Sequence, residues 1–129
     1  MREVVLDASA LLAMLKGEAG AALVRRSLGG SVISAINLAE VASTFVRAGM
    51  PANEVAVNLR QLPMQVVPLE EDTAYAASAL RQVTAEHGLS LGDRCCLALA
   101  KARGAPALTA DQVWRGIAAE AGVEVKLLR

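Results

Sequence analysis

Short apolar runs alternate with helical stripes along this chain. Val4-Val5-Leu6 reads as a buried strand, and residues 8–15, rich in helix formers, as the helix that follows it. A second helix is predicted over 19–28, parted from the first near Gly17 and ended by Gly29-Gly30. Ser31-Val32-Ile33-Ser34 is a short strand, and helical spacing resumes over about 37–48 until Gly49-Met50-Pro51. Pro51 suits the opening of a further helix, which runs to about residue 62. A strand over 64–69 is marked off by Pro63 and Pro68, positions that fit an edge or a strand end. The longest predicted helix spans 70–87, with Glu70, Glu71 and Asp72 in its first turn and Gly88 as its stop. Another covers 92–103 and closes at Gly104; a strand follows over 106–109, then a short helical stretch over 113–121 and a last strand over 123–128. Strands alternating with helices predict an α/β fold, a mainly parallel sheet of four to five strands flanked by helices. With no repeat, linker or low-complexity segment, residues 1–129 read as a single domain.

Composition changes this picture in few places. Hydrophobic residues make up 54% of the chain, yet no run approaches about 18 uninterrupted apolar residues, so a soluble cytoplasmic protein with no membrane segment is expected. Some of that apolar surface would be covered by a partner or a second copy. Thirteen basic and thirteen acidic residues cancel, so any nucleic-acid binding must come from a local patch. Aromatics are limited to Phe45, Tyr75 and Trp114, which excludes a base-stacking platform. Cys95 and Cys96 are adjacent in an apolar helical run and read as reduced core thiols, not as a disulfide framework or a zinc site.

The candidate chemistry lies in four acids with apolar neighbours. Asp7 follows Val-Val-Leu, and Asp111 follows the strand that ends at Thr109. Glu40 and Asp93 fall in the first turns of predicted helices. Each has an ordinary structural role open to it. Asp7 would cap the first helix, Asn37-x-x-Glu40 and Thr109-x-x-Gln112 have capping-box spacing, and Asp93 suits the positive end of its helix dipole. Glu40 also shares a polar helix face with Asn37, Ser43, Thr44 and Arg47. In a parallel α/β fold, however, these junctions can meet on one edge of the sheet. Two like charges about 4 Å apart at an effective dielectric near 20 repel by about 4 kcal/mol, so a converged cluster needs a cation or raised pKa values. An all-oxygen set is hard and selects Mg²⁺ or Mn²⁺. Such an ion polarises a phosphoryl oxygen and activates water for attack on a phosphodiester.

Four segments then match one family in order: Val5-Leu6-Asp7-Ala8-Ser9, Ser34-Ala35-Ile36-Asn37-Leu38-Ala39-Glu40-Val41, Leu89-Ser90-Leu91-Gly92-Asp93-Arg94-Cys95-Cys96-Leu97-Ala98-Leu99-Ala100, and Leu108-Thr109-Ala110-Asp111. Over nearly its whole length the chain resembles PIN-domain ribonucleases, in particular the VapC-type toxins of type II toxin–antitoxin systems. The resemblance implies a Mg²⁺- or Mn²⁺-dependent endoribonuclease that cuts single-stranded or loop RNA to a 5′-phosphate and a 3′-hydroxyl. By that resemblance Asp7, Glu40 and Asp93 would be the main metal-binding and catalytic acids, with Asp111 the fourth. Ser9 and Thr109 would orient the carboxylates or water on the metal. A homodimer and a cognate VapB-type antitoxin, whose arm covers the cleft, are implied as partners. Arg94 is the chosen contact for the RNA backbone, ahead of Arg47, Lys101 and Arg115, each of which also serves as a surface charge offsetting nearby acids.

Other chemistries lack their motifs. His87 precedes Gly88 at a helix end, and no Gly-x-Ser-x-Gly elbow, dinucleotide fingerprint or P-loop is present. Two alternatives stay open: a catalytically inactive PIN-like binding module, in which the acids only cap helices, and a housekeeping RNA-processing nuclease without an antitoxin.

Overall fold

The computed structural model describes residues 2–129. Five short strands form its centre: β1 (Val4–Leu6), β2 (Ser31–Ser34), β3 (Gln65–Val67), β4 (Ala107–Thr109) and β5 (Val125–Leu127). They lie in the order β3-β2-β1-β4-β5, and every neighbouring pair is parallel. Pleating sends successive side chains to opposite faces. Val5 stands opposite Val32 and Ala107, and all three enter one core; Leu6, opposite Ile33 and Leu108, enters the other.

Helices α1 (Ala8–Lys16), α2 (Ala21–Ser27), α3 (Ala35–Arg47) and α4 (Ala52–Arg60) cover the face lined by Leu6 and Ile33. The face lined by Val5 and Val32 packs against α5 (Glu71–Ala79), α7 (Leu91–Arg103) and Trp114. Between α5 and α7 lies α6 (Arg81–Thr84), and α8 (Ala118–Ala121) precedes β5. Buried residues run without interruption from Arg94 to Ala100, so α7 is enclosed by the core on all sides. The sheet of five parallel strands between helical layers matches the architecture predicted from the alternation of elements.

Three segments depart from that prediction. The helix expected over 70–87 breaks after Ala79 and ends in a 3₁₀ turn, Ala85–His87. The Leu80 carbonyl accepts from Val83 N at 3.1 Å, Thr84 N at 3.0 Å and the Thr84 hydroxyl at 2.8 Å, which tightens and bends the turn. The stretch 113–121 divides into a 3₁₀ turn, Gln112–Gly116, and α8, with Trp114 and Ile117 anchored in the core. The second helix starts at Ala21, not at residue 19, because Gly20 adopts φ 94°. A Cβ there would stand 2.6 Å from the Leu128 Cβ, so glycine is needed both for the turn and for the close approach.

Candidate active site

The chain leaves β1 toward β2, while β4 closes the other side of β1. Connections therefore diverge between β1 and β4, and in a parallel sheet this opens a crevice at the carboxyl ends of the strands. Asp7 is the first residue after β1, Thr109 ends β4, and Asp111 lies two residues beyond it. Ser34 ends β2 and caps α3, accepting from Ile36 N at 3.4 Å. That cap sets the start of α3 at Ala35, which places Asn37 inside the helix and Glu40 on its second turn. Helix α7 packs against β1, β2, β4 and α3, bringing its first turn to the same edge.

Asp7 is 3% exposed and occupies the N-cap position of α1 without making a capping bond through its side chain. Its Oδ2 instead accepts from the Ser9 hydroxyl at 2.6 Å and the Thr109 hydroxyl at 2.9 Å. Each hydroxyl is oriented by backbone: Ala110 N donates to Ser9 Oγ at 2.9 Å, and Asp111 N to Thr109 Oγ1 at 3.1 Å. Oδ1 receives neither hydroxyl. Burial pushes the Asp7 carboxyl up to about 6; the Ser9 bond opposes this, the Asp93 charge adds to it, and the Thr109 bond again opposes it.

Glu40 is half-buried, and its Oε1 accepts from Asn37 Nδ2 at 2.8 Å. The same amide donates to the Gly92 carbonyl of α7 at 3.0 Å. A Cβ on Gly92 would stand 2.5 Å from both Glu40 carboxylate oxygens, so the missing side chain is the space that carboxylate fills. Asp93 is the next residue, in the first turn of α7. It forms a capping box there, with Ser90 N donating to its Oδ2 at 2.8 Å and its own N–H donating to Ser90 Oγ at 3.2 Å. The fully buried Cys96 thiol is pushed well above its ordinary value, first by burial and then by the charges of Asp7, Asp93 and Glu40. All three acids thus lie near enough to the Cys96 thiol to act on it.

The remaining predicted residues take other positions. Asp111 caps the 3₁₀ turn, its Oδ1 accepting from Val113 N at 3.0 Å. Asp93, and not Asp111, is the acid whose charge acts on Asp7. Arg94 is 9% exposed, and its Nε turns back to the Ser90 carbonyl of its own helix at 3.4 Å. Neither spacing read as a capping box forms one: Asn37 lies within α3, and Thr109 serves Asp7 while Asp111 caps. Asn37 and Gly92 were not among the predicted site residues, although both stand inside the motifs. Arg47 shares with Glu40, Ser43 and Thr44 a groove of about 420 Å³ along α3.

Among the described residues, no three acid, thiol or imidazole groups already stand close enough to enclose a metal ion. The donors nevertheless fit a hard divalent ion. They are all oxygens, Asp7 offers an oxygen that neither hydroxyl occupies, and Gly92 keeps the Glu40 carboxylate beside Asp93. Asp7, Glu40 and Asp93 are the residues that would hold Mg²⁺ or Mn²⁺.

Fold and site together define a parallel α/β protein with carboxylates gathered where its strand order reverses. The chain belongs to the PIN domain family, whose model matches residues 4–120, and PIN domains are generally nucleases. Its fold is similar to that in a toxin–antitoxin complex from Klebsiella pneumoniae, at 21% identity and a TM-score of 0.73 over 98% of each chain. It is similar also to a chain of the DNA-bound VapBC of Salmonella typhimurium, at 17% identity and 0.76 over 100% of both. A chain of VapBC-5 from Mycobacterium tuberculosis is 23% identical, with a TM-score of 0.63 over 98% of this chain and 99% of that one. At these identities the likeness is one of fold. No curated protein matches the chain.

Proposed function

We propose that this chain is a divalent-metal-dependent endoribonuclease, the VapC-type toxin half of a toxin–antitoxin pair. It hydrolyses phosphodiester bonds of single-stranded or loop RNA in the cytoplasm. One observation carries the reading: Asp7, buried and fixed by two hydroxyls, is held against the charge of Asp93 with Glu40 close by. Charge concentrated this way costs stability and is of use where a cation binds. When bound, Mg²⁺ or Mn²⁺ would supply Lewis acidity at a phosphoryl oxygen. Ser9 and Thr109 hold Asp7, and Asp111 fastens the turn whose N–H groups orient them.

The fold shared with chains of toxin–antitoxin complexes supports a VapB-type antitoxin as partner. An apolar groove lined by Leu15, Phe45, Met50, Val55, Asn58 and Leu59, with exposed Val46 and Val57 nearby on the same helices, is surface of the kind a partner covers. A homodimer belongs to the same proposal. No helix among the described residues is long and apolar enough to cross a membrane.

The test is cleavage of RNA by purified protein with Mn²⁺. Activity should disappear with a chelator and with Asp7→Asn or Asp93→Asn; cleavage persisting in either variant would refute the site. A binding module without hydrolysis is the second reading, favoured by the capping bonds of Asp93 and Asp111. It predicts RNA binding without new RNA ends in the same assay.

A further inference from the structure

We infer that Asn37 is a positioning residue that clamps the Glu40 carboxylate to the first turn of α7 and so fixes it beside Asp93. Asn37 is 0% exposed, an unusual setting for a primary amide unless its polar atoms are engaged. Its Nδ2 makes two bonds, one within α3 to Glu40 Oε1 at 2.8 Å and one across to α7, to Gly92 O at 3.0 Å. Both partners are acceptors, so only the NH₂ group can face them, and the orientation of the amide is determined. Oδ1 meets no donor among the described residues, so the two NH₂ bonds are the contacts that hold the amide in place. The space at Gly92 completes the clamp, since any Cβ there would displace the carboxylate that Asn37 holds.

The inference rests on the metal-site reading for its consequence, and on the hydrogen bonds alone for its geometry. Groups that orient a metal's carboxylate ligand commonly change affinity by about 10–100-fold when removed. Asn37→Ala should therefore weaken Mn²⁺ binding by about tenfold or more, measured calorimetrically. Asn37→Asp, which sets a carboxylate against the one on Glu40, should weaken it further. Cleavage should lose kcat with little change in KM for RNA. In a Glu40→Gln background the Asn37 substitutions should add nothing to the loss of Mn²⁺ affinity; additive losses would overturn the inference.

A readout without metal separates this inference from the function. In metal-free protein the Asn37 side-chain NH₂ should be protected from hydrogen exchange, and Glu40→Ala should speed exchange of the proton donated to Glu40 while the one donated to Gly92 O stays protected. Exchange at the free rate in the unsubstituted chain overturns the clamp, whether or not the variants fold. Protection in a protein that binds no Mn²⁺ leaves the clamp in place and refutes the metal site.

Discussion

Asp7 and Gly92 behave differently from their plain types, and each yields a measurable consequence. The Asp7 carboxyl titrates at about 6 in the fold against 3.8 without it, a gap corresponding to about 3 kcal/mol. Because the folded value is the higher one, the native state binds this proton more tightly. The contribution of Asp7 therefore costs nothing below pH 3.8, grows as pH rises from 3.8 to 6, and is at its full cost above that. Metal-free Asp7→Asn should accordingly gain stability relative to the natural chain as pH is raised from 4 to 7, by about 1–3 kcal/mol in denaturant unfolding, and the gain should level off above pH 7. A constant difference across that range would contradict the raised value. At Gly92 a methyl group would push the Glu40 carboxylate away from the Asn37 amide. Gly92→Ala should then change stability little, the gain of about 1 kcal/mol in helix propensity being offset by the hydrogen bond lost at Asn37. Mn²⁺ affinity should nonetheless fall, and the fall should vanish when Glu40 is also Ala. The acids stood out in the sequence by their apolar neighbours and their motifs, although Glu40, expected in a first turn, lies on the second turn of α3. The roles of Asn37 and Gly92 did not stand out, because they depend on a contact between residues 55 positions apart.

Among elements, α7 shows how one local device serves both fold and site. Ser90 begins the helix, and its reciprocal bonds with Asp93 fix the rotamer of that acid. Ser90→Ala should cost about 1 kcal/mol in thermal or denaturant unfolding but leave Mn²⁺ affinity nearly unchanged, because the backbone N–H that holds Asp93 Oδ2 is kept. A marked loss of metal binding would show that the Ser90 hydroxyl is also needed to place Asp93. The sequence marks such starts and stops well where Gly, Pro or a capping side chain stands at the boundary, as at Gly88 and Gly104. It marks the break after Ala79 poorly, since nothing there disfavours a helix in advance and the bend follows from three donors converging on the Leu80 carbonyl. The strands are shorter than their apolar runs for a related reason. Met64 and Val123 are buried at the ends of β3 and β5 but fall outside the parallel pairing.

For the whole molecule, the parallel sheet and its two cores follow from the alternation of apolar runs, because the three central strands, β1, β2 and β4, are covered on both faces while β3 and β5 stay partly exposed at the edges. Metal binding should report on the assembled fold. Saturating Mn²⁺ at about 100 times its Kd should stabilise the protein by about 2.7 kcal/mol. The rise in Tm should be absent in Asp7→Asn, and no rise in the natural chain would mean that the acids do not act together.

The joining of Asp7 to Thr109 has one more consequence, for the order of events during synthesis. These residues are 102 positions apart, and β4 supplies both the neighbour of β1 and the hydroxyl on Asp7. A growing polypeptide that has not yet delivered β4 holds an unfinished notch and one unpaired edge of β1, so the proposed activity should be absent until β4 has emerged. Refolding followed by stopped flow should show RNA cleavage lagging behind helix formation, with non-local pairing as the slow step; simultaneous recovery would refute this order.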